Sequence, residues 1–317
     1  MTVERAAAGI HIGLPRTGTT TLQTHLFAAH SQIHYLGIVK RHSAARWRAR
    51  RWPECRDREV AALMRELVLD GSRTPRMERC ASRWRAIAAG AAGKVVVWSW
   101  EGLAADTVER REERARRLAA TAGGATVLVA IRDPVGFVES TYFQILRRNN
   151  WSGVVGEAWH RPIDAWLAEN LTGELEPLLD YERTIDVYCR HFGEDAVRVL
   201  LYEDLARDPA AFVASVCRAL GVDEAEGLRR AAGRRENATS PELIDAIRRL
   251  DRGVLARLRA RLAVARQVRG ALPRSAGAET PRIGAAGRAV IAERTRAGNR
   301  RLAQRFALDL ERWGYPL

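Results

Sequence analysis

Thr126-Val127-Leu128-Val129-Ala130-Ile131 is apolar at every position after the first, with none of the in–out alternation of a strand that has one wet face. A strand of that kind is buried on both sides, which means an interior place in a parallel sheet covered by helices. The rest of the first two thirds fits this frame. Ile10 to Leu14 reads as a short strand, followed by a turn and a helical pattern from about Thr19 to Ala29. Lys94 to Trp100 is a β-branched strand, and Asp106 to Ala120 a charged amphipathic helix. Asp133-Pro134 opens a helix to about Arg148, with aspartate as cap and proline in the first turn. Leu179 to Phe192 is a helix ending at Gly193, Val197 to Tyr202 a strand, and Pro209 to Leu220 a helix closed by Gly221.

Strands and helices alternating at this spacing predict an α/β fold, a parallel β-sheet flanked by helices on both faces. From Val222 onward no strand pattern appears; residues 222–317 read as a helical C-terminal portion, Arg-rich and broken at Gly270 to Gly287. Residues 41–92 are rich in Arg and Trp, helical around Val60 to Leu69 and punctuated from Gly71 to Pro75; they read as a helical insertion and a candidate lid. The expectation is a single domain over residues 1–317, with a separable tail as the alternative.

Composition narrows the function classes. No apolar run approaches the ~20 residues that span a bilayer, and Met1 to Ala8 holds no apolar signal core, so the expected location is cytoplasmic. Cys55, Cys80, Cys189 and Cys217 are scattered, with no CxxC pair and no metal-ligand constellation; they read as reduced thiols. The net charge of +14 is almost all arginine, since Lys40 and Lys94 are the only lysines. Most of it coats solvated helix faces, and a smaller share offers a positive field to a polyanionic ligand. Without a zinc finger, an aromatic–basic strand motif or a basic low-complexity tail, no nucleic-acid partner is expected.

The chemistry concentrates in the turn after the first strand, Gly13-Leu14-Pro15-Arg16-Thr17-Gly18-Thr19-Thr20-Thr21. A strand–turn–helix junction presents a row of backbone N–H groups to an anion at the helix N-terminus. Gly18 lets the backbone approach closely, and Thr17, Thr19, Thr20 and Thr21 add hydroxyls. The G-x-x-x-x-G spacing equals that of the nucleoside-triphosphate P-loop, yet Thr19 stands where its lysine belongs. The positive charge sits instead at Arg16.

This stretch, PRTGTTTLQ, resembles the 5′-phosphosulfate loop of the sulfotransferases that use 3′-phosphoadenosine-5′-phosphosulfate (PAPS), whose pattern is Pro-Lys/Arg-Ser/Thr-Gly-Thr-Thr. Arg16 fills the basic position; arginine keeps the charge and forked donors but holds on to its proton. A second segment, Ile131-Arg132-Asp133-Pro134-Val135-Gly136-Phe137-Val138-Glu139-Ser140-Thr141-Tyr142, resembles the family's 3′-phosphate motif, R-x7-S followed by tyrosine. Arg132 falls at a strand's C-terminal end, where α/β sheets bind ligands, and Ser140 lies in the next helix. Leu201-Tyr202-Glu203-Asp204-Leu205 resembles the family's YEDL element, with Tyr202 a candidate neighbour of the adenine. The tail from Ala297 to Leu302, ahead of Trp313-Gly314-Tyr315, resembles bacterial members of carbohydrate-directed type, without the Arg-Lys-Gly triplet of cytosolic animal enzymes.

The resemblance implies a P-loop-like sulfotransferase fold and a metal-free in-line transfer of the sulfuryl group from PAPS to a hydroxyl or amine acceptor, releasing 3′,5′-ADP. The acceptor it suggests is a glycan, a glycolipid or a small metabolite. The implied donor site is Arg16 to Thr21 with Arg132, Ser140 and Tyr202, and Arg16 also neutralises the leaving phosphate. A general base completes the set. Glu101 is the first candidate, because Trp98-Ser99-Trp100-Glu101 resembles the Ser-Ser-Glu of bacterial members; His34 is the second. Trp98, Trp100, Trp151, Trp159 and Trp166 are either core or surfaces that stack on an acceptor. Two other classes compete, a P-loop nucleotide kinase and a non-catalytic protein that binds 3′,5′-ADP or another polyanion. The first lacks its lysine; the second predicts no loss on changing Glu101 or His34.

Overall fold

A computed structural model describes residues 8–37, 55, 57–69, 76–104, 106–148, 162–173, 175–231 and 282–317. The chain divides into two compact units. The first takes in residues 1–132, 180–236 and 304–307, and the second 133–179, 237–303 and 308–317.

The first unit holds a five-stranded sheet of order β2-β3-β1-β4-β5. Its strands are β1 (Ala8–His11), β2 (Ile33–Tyr35), β3 (Val95–Ser99), β4 (Thr126–Ile131) and β5 (Val197–Leu201). Every neighbouring pair is parallel. The β4 run behaves as its composition demands: Val127 to Ile131 are fully buried. On one face Leu22, Leu26, Phe27, Phe212, Val216 and Leu220 pack over Val97, Leu128 and Ala130. These come from α1 (Thr19–Thr21, continuing as a π-helical stretch Leu22–Phe27) and α10 (Pro209–Leu220). The other face carries α4 (Val108–Thr121) and α8 (Tyr181–Phe192), α8 lying against β4 and β5. Each buried Val or Leu on these two faces contributes ~1.5–3 kcal/mol.

Local signals mark the helix ends where the sequence reading places them. Thr107 caps α4, and Asp180 caps α8 by accepting from the Arg183 amide. Asp208 accepts from the Ala211 amide ahead of Pro209, and Gly221 closes α10 in the left-handed conformation. Within residues 41–92 the described portion forms α2 (Arg58–Met64, continuing over Arg65–Leu69) and α3 (Met77–Gly90), both packed towards α4. Residues 41–54 and the Gly71–Pro75 break lie outside the described residues. The first unit is completed by α9 (Tyr202–Arg207) and α11 (Glu224–Ala231).

The structure departs from the sequence reading in two places. Ile33–Tyr35 is a strand that the sequence reading did not include; three residues on a sheet edge carry no period of their own. The first strand ends at His11 rather than Leu14, although Ile12 and Leu14 still donate to the Leu128 and Ala130 carbonyls at 2.9 and 3.3 Å.

The described residues of the second unit are mainly helical. They include α5 (Pro134–Arg148), α6 (Ile163–Asn170), α7 (Glu176–Leu179) and most of α12 (Ala285–Phe306). Asp133 accepts from the Gly136 amide at 2.8 Å as the cap of α5. Gly287, expected at a break, is inside α12. A Cβ there would stand 2.8 Å from Asp164 Oδ1 and 3.1 Å from a Leu167 methyl, so glycine serves the close approach of α12 to α6. Buried Glu139 accepts from Arg282 at 2.6 Å and from the Ile283 amide at 3.1 Å, fastening the chain ahead of α12. Among the described residues no helix is long and apolar enough to cross a membrane.

Candidate active site

The turn after β1 is held by its own hydroxyls. Thr17 donates to the Leu14 carbonyl at 2.6 Å and Thr19 to the same oxygen at 3.3 Å, both side chains buried. A hydroxyl has a single proton, so in this arrangement the Thr17 and Thr19 protons brace the loop's own backbone. Thr20 is half-buried, and Thr21 is buried with its amide on the Gly18 carbonyl at 2.9 Å.

Two residues of the turn have left-handed backbone, Gly18 at φ 81° and Arg16 at φ 70°. The second is a real cost, since a side chain at positive φ is strained by ~1–3 kcal/mol. Left-handed residues alternating with ordinary ones turn successive N–H groups to one side and build an anion-binding concavity. The first intrahelical bonds run from Thr21 and Leu22 to the Gly18 carbonyl, so the amides ahead of Thr21 stand outside the helix's ladder. Gly18 is doubly constrained: a Cβ would lie 2.2 Å from a Leu205 methyl. Gly18→Ala should therefore lower stability by about 1–3 kcal/mol and weaken nucleotide binding with it. Urea unfolding and calorimetry check this, and an unchanged midpoint would show that the turn tolerates a side chain.

The structure brings Arg132 to this turn. Its guanidinium donates to the Arg16 carbonyl at 3.2 Å across 116 residues of sequence. The same guanidinium lies over the Tyr202 ring, 4.3 Å from its centroid. Tyr181, at the start of α8, donates to the Arg132 carbonyl at 2.8 Å. Arg16, Gly18, Arg132 and Tyr202 are thus neighbours at the C-terminal edge of β1, β4 and β5. Ser140, buried on α5, belongs to the second unit.

The two candidate bases are placed differently. Glu101 begins a short 3-10 turn directly after β3, at the same edge as the loop. Burial, and after it the Glu101 charge, pushes the Tyr35 phenol well above its usual range. Arg114 holds this segment from beneath: it donates to the Gly102 carbonyl at 2.9 Å and to Asp106 at 2.7 Å, and its guanidinium lies 5.5 Å from the centre of the Trp100 ring. His34, by contrast, pairs with Val96, the residue that also pairs with Ala8, while His11 pairs with Ser99. That sets His34 three positions, about 10 Å, short of the edge where the turn begins. β2 is an edge strand that stops early, which favours Glu101 over His34 as the group nearer the turn.

Sequence reasoning passed over Arg114 and Tyr181. An arginine in a charged amphipathic helix reads as solvated, and only the packing of α4 buries this one. Of the tryptophans, Trp98 and Trp166 are core; Trp100 is half-buried beside Glu101, and Trp151 and Trp159 lie outside the described residues.

A family profile described as Sulfotransferase family matches residues 10–226. Among solved structures, a sulfotransferase from Alicyclobacillus acidocaldarius superposes with a TM-score of 0.55 at 15% identity, covering 96% of this chain and 97% of that one. The sulfotransferase domain of the Synechococcus PCC 7002 olefin synthase superposes with a TM-score of 0.47 at 15% identity, covering 96% and 95%. No curated protein matches the sequence.

Proposed function

This chain belongs to the sulfotransferase family, and from that premise we propose that it moves a sulfuryl group from PAPS to a hydroxyl or amine acceptor, seating the donor on the Arg16–Thr20 turn. The observation that carries the reading is the contact of Arg132 with the Arg16 carbonyl and the Tyr202 ring. Two basic motifs far apart in sequence share one strand edge, beside an aromatic face suited to a purine.

The turn fits the phosphosulfate end on the structure's own features: left-handed backbone at Arg16 and Gly18, and amides outside the helix ladder. In this reading the amides and Arg16 neutralise charge growing on the leaving phosphate, as preorganised donors do in group transfer. Arg132 recognises the 3′-phosphate; Ser140 is assigned with it from motif spacing alone. Glu101 takes the acceptor's proton as its oxygen or nitrogen attacks sulfur and the bond from sulfur to the phosphate oxygen breaks. The acceptor is proposed to be a glycan, a glycolipid or a small metabolite, to be found by screening with radiolabelled PAPS.

The test is nucleotide preference. A hydrogen bond to a charged group contributes about 1.5–3 kcal/mol, so 3′,5′-ADP should bind about 10- to 100-fold more tightly than 5′-ADP. Equal affinities by calorimetry would remove the 3′-phosphate site from the proposal. A kinase reading would instead show transfer from ATP, which a turn with Thr19 in place of lysine does not favour.

A further inference from the structure

We infer that Ser99 is a positioning residue whose hydroxyl clasps both flanks of the donor turn, His11 before it and Gln23 after it, to the strand end that carries Glu101. The inference rests on the sulfotransferase reading; Ser99 and Gln23 fall within segments that carry the resemblance, but neither they nor His11 were given a role there.

Ser99 is the last residue of β3, two positions before Glu101, and is fully buried. Gln23 Nε2 donates to its Oγ at 3.0 Å. His11 Nδ1 stands 2.7 Å from the same oxygen. His11 and Gln23 are buried as well, so each bond is shielded from water. Gln23 supplies one proton to Oγ, and a second hydrogen bond joins the same oxygen to His11 Nδ1, its direction set by the imidazole tautomer. Burial keeps this ring neutral, with its pKa pulled down to about 3.

The clasp brackets the turn in sequence. His11 ends β1 and Gln23 lies in the first helical stretch, with the turn between them. The Trp100 amide adds a parallel tie, donating to the His11 carbonyl at 3.1 Å. Gly13 makes the arrangement sterically feasible, because a Cβ there would stand 2.5 Å from His11 Nε2. One hydroxyl therefore sets the spacing between the donor turn and the segment bearing the proposed base. In-line transfer depends on that spacing, and a displacement of about 1 Å costs on the order of 10²-fold.

Replacing Ser99 by alanine removes the hub and leaves two buried polar side chains without it. Ser99→Ala should lower kcat about 10- to 100-fold while 3′,5′-ADP binding stays near the wild-type level. A control, Val97→Ala, removes buried core volume on the same strand without touching the clasp, and should lower the melting temperature but not kcat. The double variant Ser99→Ala/Gln23→Leu should turn over no more slowly than Ser99→Ala, because both break the same unit. Should Ser99→Ala fail to fold, Gln23→Leu alone removes one arm and should still lower kcat. Wild-type kcat in a folded clasp variant, an equal kcat loss in Val97→Ala, or additive losses in the double would each overturn the inference. If the wild-type protein neither binds 3′,5′-ADP nor transfers sulfuryl groups, the functional reading fails and the clasp falls with it. Wild-type activity with an unaffected Ser99→Ala rejects the clasp alone.

Discussion

Replacing Glu101 by glutamine is expected to cut kcat by about 10²- to 10⁴-fold, with little change in the affinity for 3′,5′-ADP. Glutamine keeps the size and one carbonyl oxygen of the side chain but takes up no proton. The residue sits two positions after the strand end, on a segment that Arg114 fixes through the Gly102 carbonyl and Trp100. A Cβ on Gly102 would come within 2.2 Å of the Trp100 ring, so the segment has one tight packing arrangement. Because Glu101 is not part of the proposed nucleotide seat, its effect should fall on turnover, read from steady-state rates with saturating PAPS and acceptor. The decisive contrast is His34→Asn. His34 lies level with Ala8, well below the edge, and its replacement should leave kcat within about twofold, as for surface changes away from the chemistry. A large loss in His34→Asn with full activity in Glu101→Gln would reverse the assignment. Full activity in both would favour another base, and no measurable transfer in the wild type would favour a pure binding protein.

Arg16→Ala should be the second large effect, lowering kcat/KM for PAPS about 10²- to 10³-fold. The loss is that of a preorganised cation beside the phosphate on which charge accumulates as the bond from sulfur breaks. Arg16 also holds left-handed backbone at φ 70°, a strain that the surrounding turn sustains. Arg16→Gly separates the two contributions. Glycine relaxes the backbone without restoring the charge, so it should match alanine in activity and exceed it in stability. Arg16→Lys keeps a cation and should recover most of the rate, short of arginine's forked geometry. Lysine and alanine variants of equal activity would argue that the backbone amides, not the side chain, carry the neutralisation. Steady-state kinetics with varied PAPS, paired with thermal unfolding of each variant, separates these outcomes.

Much of this site was legible because its signals are local. The alternation of strand and helix, the capping by Asp133, and the glycine-bearing turn after the first strand each depend on residues within a few positions of one another. So does the chemistry of a strand–turn–helix junction, which exposes amides whatever packs behind it. What was not legible shares a different property. His34 was read without β2, and β2 exists only because Ile33–Tyr35 pairs with Val95–Val97, far along the chain. The hydroxyls of Thr17 and Thr19 are visible in sequence, while their bonds to the Leu14 carbonyl are not.

The sequence by itself determined the fold class, the family and the position of the phosphate-type turn, since periodicity, turn residues and motif order are written in neighbouring letters. Tertiary structure alone decided the strand order, the meeting of Arg132 with Arg16 and Tyr202, and the hub at Ser99. Those contacts join residues 70 to 116 positions apart. Parallel strands can be joined in many orders by crossovers of similar length, and no local preference chooses among them. The choice falls to the burial of both sheet faces at once, which only the folded chain can satisfy.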